Sequence, residues 1–287
     1  MFTLDCDRAY LYAHPERELT AEELQRYDEA LARRASGVPA QYITGHQEFW
    51  GLDLIVSSAV LIPRPETEHV VEVVLGLVSR AESKERQEQK QEPRTGVSAP
   101  HELPHNLRIV DVGTGSGAIA LALAKELPSA AICATDISAD ALEVARANAA
   151  RHELTSRIKF HQADLLSGLP EGKFDFVVSN PPYVGESEED SVQLEVRKFE
   201  PRNAVFAGPT GSELIERLIP QAQRALKARG WLVFEISGTI ADGVRRLLSG
   251  WEEVAITNDL QGIARVAAAR IPTTGQKPIA ISTGGEF

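Results

Sequence analysis

The chain has 287 residues, 43% of them hydrophobic, which suits more than one small domain and fewer than three, with a sizeable core. Its formal net charge of -11 provides no electrostatic attraction for a bulk polyanion such as nucleic acid. The two cysteines, Cys6 and Cys133, are far apart and follow no metal-binding spacing. We therefore expect neither a disulfide framework nor a metal centre, and a reducing compartment such as the cytoplasm.

The amino terminus does not resemble a targeting segment. Its first twenty residues, MFTLDCDRAYLYAHPERELT, lack a long apolar stretch and carry acidic residues early, unlike a signal peptide. No apolar run approaches the length of a membrane span. We therefore expect a cytoplasmic protein without a membrane partner.

Residues 1–80 are predicted to form a small helical domain. Thr20 followed by Glu23 is a capping box, which predicts a helix over the next fifteen or so residues. The apolar face of this helix carries Leu24, Tyr27 and Leu31. The alternating stretch FWGLDLIV predicts a short hairpin after it, and Pro65 suits the first turn of a second helix.

Two segments differ sharply from the rest in composition. Residues 81–106, AESKERQEQKQEPRTGVSAPHELPHN, are charged and then rich in proline, and we expect a polar linker or insert whose first part prolongs the preceding helix. Residues 271–287 are rich in threonine, glycine and proline, and we expect a disordered tail. Neither segment is expected to carry catalysis.

Residues 107–270 alternate between apolar strands and helices. LRIVDVG, AAICATDI, IKFHQADL, FDFVVSN and GWLVFEIS read as strands, and helical patterns separate most of them. The helix SELIERLIPQAQRALK is predicted to end at Gly230. The last two strands, EEVAITND and IARVAAAR, are predicted to form an antiparallel closing pair. The pattern predicts an α/β fold with a mostly parallel, doubly wound sheet.

A glycine-rich loop follows the first of these strands. VDVGTGSGAIALALA places Asp111, Gly113, Gly115 and Gly117 between that strand and its helix. Glycines there permit a tight turn and a close approach of a ligand, and the helix amino terminus favours a negatively charged group. The GxGxG spacing suits a nucleoside with an amino-acid tail better than a pyrophosphate. A purely structural turn is the alternative.

Acidic residues end the next two strands. Asp136 lies about twenty residues beyond the glycines, where an acid commonly binds ribose hydroxyls. Asp164 ends the third strand and, with Leu165 beside it, suits the flank of an adenine ring. The loop and both acids in this order predict a nucleoside-binding site.

The tetrapeptide Asn180-Pro181-Pro182-Tyr183 ends the fourth strand, at the edge where open α/β sheets bind ligands. The Asn180 side-chain oxygen and the Pro181 carbonyl provide hydrogen-bond acceptors, and Tyr183 provides a flat ring. These groups suit a planar target that bears an amino group, either a side-chain amide or the exocyclic amine of a base.

Taken together, these motifs resemble the class I S-adenosylmethionine-dependent methyltransferases that act on amide or amine nitrogen. Residues 48–68, EFWGLDLIVSSAVLIPRPETE, and 199–219, FEPRNAVFAGPTGSELIERLI, resemble segments of the PrmC/HemK family. Enzymes of that family methylate the glutamine of the Gly-Gly-Gln motif in bacterial peptide chain release factors. NPPY is shared with DNA adenine methyltransferases, whereas PRPETE is more specific to this family.

The resemblance implies a Rossmann-like catalytic domain at residues 107–270, with a seven-stranded sheet that is mostly parallel and has an antiparallel closing strand. Residues 1–80 are expected to recognise the substrate. The cofactor, S-adenosylmethionine, is expected to contact Asp111, Gly113, Thr114, Gly115, Ser116, Gly117, Asp136, Asp164, Leu165 and Asn180. The substrate is expected to contact Asn180, Pro181, Pro182 and Tyr183, and Asn180, Pro181 and Tyr183 are the expected catalytic residues. No metal is expected.

The resemblance also implies a release factor as protein partner, an effect on translation termination, a monomeric enzyme and no direct contact with nucleic acid. Three alternatives remain open on the sequence. The chain could methylate a glutamine of another protein, such as a ribosomal protein. It could be a DNA adenine methyltransferase, against which the acidic balance argues. It could also be a non-catalytic module that binds the cofactor, against which the intact NPPY argues.

Overall fold

The structure is a computed structural model that describes residues 2–91 and 106–272. The expected insert at 81–106 lies outside the described residues between 92 and 105. The expected disordered tail at 271–287 lies outside them from residue 273 onward.

The amino-terminal part contains α1 (Arg8–Ala13), α2 (Ala21–Ala35), α3 (Ala40–Thr44), β1 (His46–Phe49) and β2 (Leu52–Ile55). The predicted capping box begins α2: the Thr20 hydroxyl accepts from the Glu23 N–H, and the Glu23 carboxylate accepts from the Thr20 N–H. The apolar face of α2 is nearly half exposed, at 48% for Leu24, 45% for Tyr27 and 48% for Leu31. Its side chains therefore add little to the core of the described structure.

A connecting segment leads from the antiparallel hairpin β1–β2 to the first long helix. A 3-10 turn at Pro65–Thr67 precedes α4 (Glu68–Gln91), and Pro65 occupies the first turn as predicted. The helix buries Val70, Val71 and Val74 completely. The first residues of the expected insert continue α4, as the charged sequence suggested.

The remaining strands are β3 (Arg108–Val112), β4 (Ala131–Asp136), β5 (Ile158–Gln162), β6 (Phe174–Ser179), β7 (Val184–Gly185), β8 (Phe206–Gly208), β9 (Leu226–Glu235), β10 (Glu252–Asn258) and β11 (Ala264–Arg270). The remaining helices are α5 (Ala118–Glu126), α6 (Ala139–Arg151), α7 (Leu194–Phe199), α8 (Arg202–Val205), α9 (Glu213–Ala225) and α10 (Ala241–Leu247).

Seven strands form one sheet in the order β10-β11-β9-β6-β3-β4-β5. Pairing is parallel from β5 through β4, β3 and β6 to β9, whereas β11 is antiparallel to both β9 and β10. The predicted Rossmann-like fold with an antiparallel closing strand is thus confirmed. Because the strand order reverses between β3 and β6, the loops after these two strands face one crevice. The topology therefore places the glycine loop beside NPPY.

Successive side chains of the central strands pack into two apolar layers, because a strand directs them alternately to opposite faces. Ile109 and Phe176 join one layer with α4 and α5, and Val110 and Val177 join the other with α9 and α10. All six residues of β6 are buried. The sheet is thus a rigid base for the loops at its carboxyl edge.

The predicted end of the helix before β9 was wrong. α9 ends at Ala225, and β9 begins directly at Leu226, whose backbone is already extended. Gly230 belongs to an irregular part of the strand, where a Cβ would lie 3.0 Å from the Lys227 carbonyl oxygen. This glycine therefore permits a close backbone contact within the strand and does not cap the helix.

None of the helices in the described ranges is both long and apolar enough to cross a membrane.

Candidate active site

Two cavities meet at the carboxyl edge of the sheet. The first has a volume of about 360 Å³ and is lined by the glycine loop and by the ends of β4 and β5. The second has a volume of about 540 Å³ and is lined by NPPY and by charged side chains. The residues common to both linings are Leu61, Asn180, Pro182 and Ala204. A molecule in one cavity can therefore approach a molecule in the other beside Asn180.

Asp111 lies on β3 directly before the glycine loop and is buried. Its Oδ2 accepts hydrogen bonds from the Thr114 hydroxyl at 2.6 Å and from the Ala120 N–H at 3.2 Å. Burial, with a smaller contribution from the Asp136 carboxylate, raises the pKa of this carboxyl to about 7, although the two hydrogen bonds lower it. Oδ1 is buried and has no partner within the described residues. Such an unsatisfied acceptor suits a cationic donor.

The three glycines of the loop all have positive φ, which explains the residue type at each position. A Cβ built on Gly113 or Gly115 would meet no atom within 4 Å, so the space beside them is open. A Cβ on Gly117 would lie 3.2 Å from Leu121 and 3.3 Å from Ala145. Gly113 and Gly115 therefore line the first cavity, whereas Gly117 permits close packing of α5 against α6.

Asp136 ends β4, the neighbour of β3, and its side chain binds the backbone of the glycine loop. Its carboxylate accepts from the Gly115 N–H and from the Ser138 N–H, each at 2.9 Å. Burial raises the pKa of Asp136, and the backbone hydrogen bonds partly offset this effect. The carboxylate lines the first cavity, as a ribose-binding acid would.

The acid at the end of the third strand is already paired. Asp164 is exposed, and its Oδ2 lies 2.5 Å from the Arg217 Nη2. Leu165 is buried with a φ of 55°, and its carbonyl accepts from the Thr135 hydroxyl at 2.9 Å. Asp164, Leu165 and Arg217 all line the first cavity.

NPPY follows the buried strand β6, and its two polar side chains are held by other segments. The Asn180 Nδ2 donates to the Thr67 hydroxyl at 2.9 Å. Within the described residues, no hydrogen bond reaches the Asn180 Oδ1 or the Pro181 carbonyl, so both remain available as acceptors. The Tyr183 hydroxyl donates to the Glu235 Oε1 at 2.8 Å, and burial raises its pKa, so this hydroxyl stays protonated.

The PRPETE segment is fixed to the region after NPPY by a buried carboxylate. Glu200 pairs with the Arg64 guanidinium and accepts from the Ile62 N–H at 3.0 Å. Arg64 and Glu200 both line the second cavity. This ion pair therefore secures one wall of that cavity.

The structure brings most of the predicted site residues together. Gly113, Thr114, Gly115, Ser116, Asp136, Asp164, Leu165, Asn180 and Pro182 line the first cavity. Asn180, Pro181, Pro182 and Tyr183 line the second. Asp111 and Gly117 line neither cavity. No cluster of three possible metal ligands occurs in the part of the chain that the structure describes.

Sequence reasoning missed four polar residues that shape the site: Thr67, Asn148, Glu200 and Glu235. Glu235 carries a local signal, because it ends a buried strand at the same sheet edge as Asp136. Thr67 and Glu200 lie within the segments 48–68 and 199–219 that resemble the family, but their contacts, like those of Asn148, are with partners that are distant in sequence.

Asn148 fastens the hairpin to the glycine loop. It is fully buried on α6, accepts from the Ile55 N–H at 2.7 Å, and donates to the carbonyls of Ile55 and Ser116 at 3.0 and 2.9 Å. Asn148→Ala leaves these three backbone groups without partners, and we expect the free energy of unfolding to fall by about 2 kcal/mol. Urea unfolding measures the change, with exposed Glu143→Ala on the same helix as control. An equal, negligible effect of both variants would contradict this role.

Comparisons with known proteins agree with this geometry. Residues 1–45 match the PrmC N-terminal domain model, and residues 99–198 match the Methyltransferase small domain model. The chain is 51% identical over 275 residues to the release factor glutamine methyltransferase of Koribacter versatilis, covering 96% of this chain and 89% of that relative. It is 40% identical over 267 residues to the enzyme of that name from Chlorobaculum tepidum, covering 91% and 84%.

A crystal structure of a methyltransferase from Pyrococcus furiosus shares the fold, with a TM-score of 0.51 and 17% identity over 86% of this chain and 98% of that one. The predicted resemblance to the PrmC/HemK family is confirmed by the long matches to curated relatives. The chain belongs to the family of release factor glutamine methyltransferases.

Proposed function

We propose that this protein transfers a methyl group from S-adenosylmethionine to the side-chain amide nitrogen of the glutamine in the Gly-Gly-Gln motif of peptide chain release factors, and so modulates translation termination. The observation that carries the proposal is the pair of adjoining cavities that share Asn180, whose side-chain oxygen has no other partner in the described structure. One cavity suits the methyl donor and the other suits the glutamine. The names of the curated relatives support this donor and acceptor pair.

The first cavity, together with Asp111, which is hydrogen-bonded to the cavity-lining Thr114, fits S-adenosylmethionine. The unpartnered Oδ1 of Asp111 suits its ammonium group, and the open sides of Gly113 and Gly115 leave room at the loop for its amino-acid end. Asp136 suits its ribose hydroxyls, and Asp164 with Leu165 suits its adenine ring. When bound, this cofactor supplies a methyl group that its sulfonium has already activated.

The second cavity suits a primary amide. The Asn180 Oδ1 and the Pro181 carbonyl accept the two amide hydrogens, which fixes the direction of the nitrogen lone pair. An amide lone pair is delocalised into its carbonyl, and these acceptors favour its localisation as positive charge develops on nitrogen. The Tyr183 ring covers the amide plane. Alignment of this kind contributes about 7–11 kcal/mol in favourable cases, so the main task of these residues is positioning.

The proton of the methylated amide needs no strong base. An amide nitrogen that has gained a methyl group is very acidic and loses its proton readily to water. Asn180 and Pro181 therefore act as hydrogen-bond acceptors, and the Tyr183 ring covers the amide plane. No residue removes a proton from the amide before the methyl group is transferred.

The setting that suits this reaction is the cytoplasm, where release factors act on the ribosome. A monomer suffices, because one chain supplies both cavities. The helical residues 1–80 would hold the release factor beyond its target glutamine, and residues 107–270 would carry out the transfer.

The proposal predicts that the protein incorporates label from methyl-labelled S-adenosylmethionine into a release factor, at the Gly-Gly-Gln glutamine. Mass spectrometry of the digested release factor locates the methyl group. A release factor with alanine in place of that glutamine is the matched control and should take up no label.

Parallel reactions with adenine-containing DNA and with ribosomal proteins separate the alternatives. Transfer to DNA or to another protein, without transfer to the release factor, would refute the proposed function.

A further inference from the structure

The loop after β8 packs against the segment that follows NPPY, and it has no role in the mechanism above. Residues 208–213, GPTGSE, run from the end of β8 to the start of α9 and are called the GPTGSE loop below. β8 pairs in parallel with β7, which begins at Val184, directly after Tyr183. Tyr183 and Val184 line the second cavity, whereas Phe206 and Ala207 of β8 line the first. The two short strands therefore join a wall of the first cavity to NPPY.

Gly211 brings the GPTGSE loop closer to Tyr183 than a residue with a side chain could come. Its φ of 87° lies in the left-handed region, and a Cβ there would lie 2.6 Å from the Tyr183 carbonyl oxygen and 2.9 Å from the Gly185 nitrogen. Ordinary contacts of a Cβ begin at 3.4 Å, so the loop and the Tyr183 carbonyl would have to move apart by about 0.8 Å. A Cβ on Gly185 would in turn lie 3.1 Å from the Pro209 carbonyl oxygen. Backbone meets backbone here, with no flexible side chain that could yield.

The carboxylate of Glu213 fixes the loop in this position. Its Oε1 accepts from the Thr210 N–H at 2.7 Å and from the Thr210 hydroxyl at 2.9 Å, and its Oε2 accepts from the Gly211 N–H at 2.9 Å. Burial raises the pKa of this carboxyl, but the hydrogen bonds, chiefly the one from the Thr210 N–H, outweigh burial and lower the pKa. The carboxylate is therefore ionised at neutral pH. An ionised carboxylate only accepts hydrogen bonds, which matches the three donors that surround it.

A displacement of Tyr183 affects Asn180 because the corner between them is stiff. Pro181 and Pro182 have fixed φ angles, so the tetrapeptide cannot absorb a shift by rotation about those bonds. The Asn180 end is supported separately, because its amide donates to the Thr67 hydroxyl at 2.9 Å and the buried strand β6 precedes it. The GPTGSE loop supports the Tyr183 end. A shift at either support therefore reorients the two acceptors of NPPY.

We propose that the GPTGSE loop positions NPPY for methyl transfer: Gly211 sets the place of the Tyr183 carbonyl, and Glu213 holds Gly211 there. The assignment to methyl transfer rests on the proposed function. Gly211 and Glu213 line neither cavity, so they are positioning residues that act through NPPY and touch no reactant. Their effect is to fix the separation between the NPPY acceptors and the first cavity.

The first test compares two glycine substitutions with similar backbone strain. Gly262→Ala, in the turn between β10 and β11, also places a side chain at a left-handed position, with a φ of 81°, but its Cβ meets no atom within 4 Å. We expect Gly211→Ala to lower kcat by about 10- to 100-fold, since a misplacement of about 1 Å can cost about 10²-fold, and Gly262→Ala to leave kcat within about twofold. A kcat for Gly211→Ala within twofold of this control would overturn the inference.

The affinity for S-adenosylhomocysteine separates positioning of NPPY from damage to the first cavity. We expect its dissociation constant, measured by calorimetry, to stay within about threefold of the wild type in Gly211→Ala, because the change acts on the chemical step. The glycine loop and Asp136 stay intact. A loss of affinity as large as the loss of kcat would assign the GPTGSE loop to the first cavity and overturn the inference. Thermal melts set a temperature at which every variant is folded.

Glu213→Gln tests the same loop without a steric clash. Glutamine has the same size but a single accepting oxygen, so either the Thr210 donors or the Gly211 N–H lose their acceptor. We expect kcat to fall by about tenfold, the effect of losing one hydrogen bond to a charged group. The exposed substitution Glu143→Gln should leave kcat unchanged. Losses that multiply in the Gly211→Ala, Glu213→Gln double variant would contradict a common action through one loop.

Hydrogen exchange provides a measurement that does not depend on activity. The backbone amides of the peptide that carries NPPY and β7 should exchange at least about tenfold faster in Glu213→Gln than in the wild type, because the loop no longer fixes β7. Gly262→Ala should leave their exchange unchanged. An unchanged rate in Glu213→Gln would contradict the inference. A wild-type protein that methylates no release factor would instead refute the proposed function, and the exchange rates would still decide whether the loop holds NPPY.

Discussion

Asn180→Ala is expected to lower kcat by roughly a thousandfold, which is the upper end of the effect of removing one group that stabilises developing charge. The substitution removes the acceptor that both cavities share, so the glutamine nitrogen is no longer directed at the methyl group. The Pro181 carbonyl remains, which is why some turnover should persist. The dissociation constant of the cofactor should change by no more than a few-fold, because the glycine loop and Asp136 stay intact.

Single-turnover kinetics with saturating release factor and S-adenosylmethionine measure the chemical step, and calorimetry measures cofactor affinity. Asn258→Ala, an exposed change of the same type at the end of β10, is the matched control. Turnover of Asn180→Ala near that of the control would remove Asn180 from its proposed role. Equal losses of turnover and of cofactor affinity would place it in the cofactor site instead.

Much of the site could be predicted from the sequence because its parts are local patterns at strand ends. The GxGxG loop and NPPY follow strands, and Asp136 ends one. These strands are recognisable from their apolar residues, and parallel strands bring their carboxyl ends to one edge. The strand–helix alternation likewise predicts the sheet and its antiparallel closure. These predictions require only short-range information and the general rules of α/β folds.

The missed residues depend on partners far away in the chain. Thr67 is 113 positions from Asn180, and Glu200 is 136 positions from Arg64, so no local pattern joins either pair. The end of α9 was misjudged for a related reason. Gly230 resembles a helix stop, but its conformation serves contacts within β9 and with the neighbouring strand. Tertiary contacts, and not local preference, decide such positions.

The second large effect concerns Asp111, whose buried carboxyl group should make cofactor binding depend on pH. Its pKa in the unliganded protein is raised to about 7 by burial, so the group is largely protonated below that pH. A cationic ammonium group near Oδ1 favours the ionised form. The affinity for S-adenosylmethionine should therefore fall by up to about tenfold for each pH unit below 7.

Asp111→Asn should weaken cofactor binding by about 10- to 100-fold at pH 8, the usual range for losing a hydrogen bond between charged groups. It should also abolish the decline in affinity from pH 7 to pH 6. The amide oxygen can still accept from the Thr114 hydroxyl and the Ala120 N–H, so the loop keeps its shape. Calorimetric titrations at several pH values measure both effects, with exposed Asp242→Asn as control.

The stability of the unliganded protein should change in the opposite direction. A carboxyl group whose pKa is raised in the folded state stabilises it at low pH, and this contribution is lost as the pH rises from about 4 through 7. The Asp111→Asn variant has no carboxyl group to ionise at this position, so it does not lose this stability as the pH rises. Its melting temperature should therefore exceed that of the wild type at pH 8 but not at pH 4. A variant that binds the cofactor as the wild type does, with the same pH dependence, would show that Asp111 supports the loop without holding the ligand. Weaker binding together with a higher melting temperature at pH 8 would show that the carboxylate is kept at a cost to stability because the cofactor requires it.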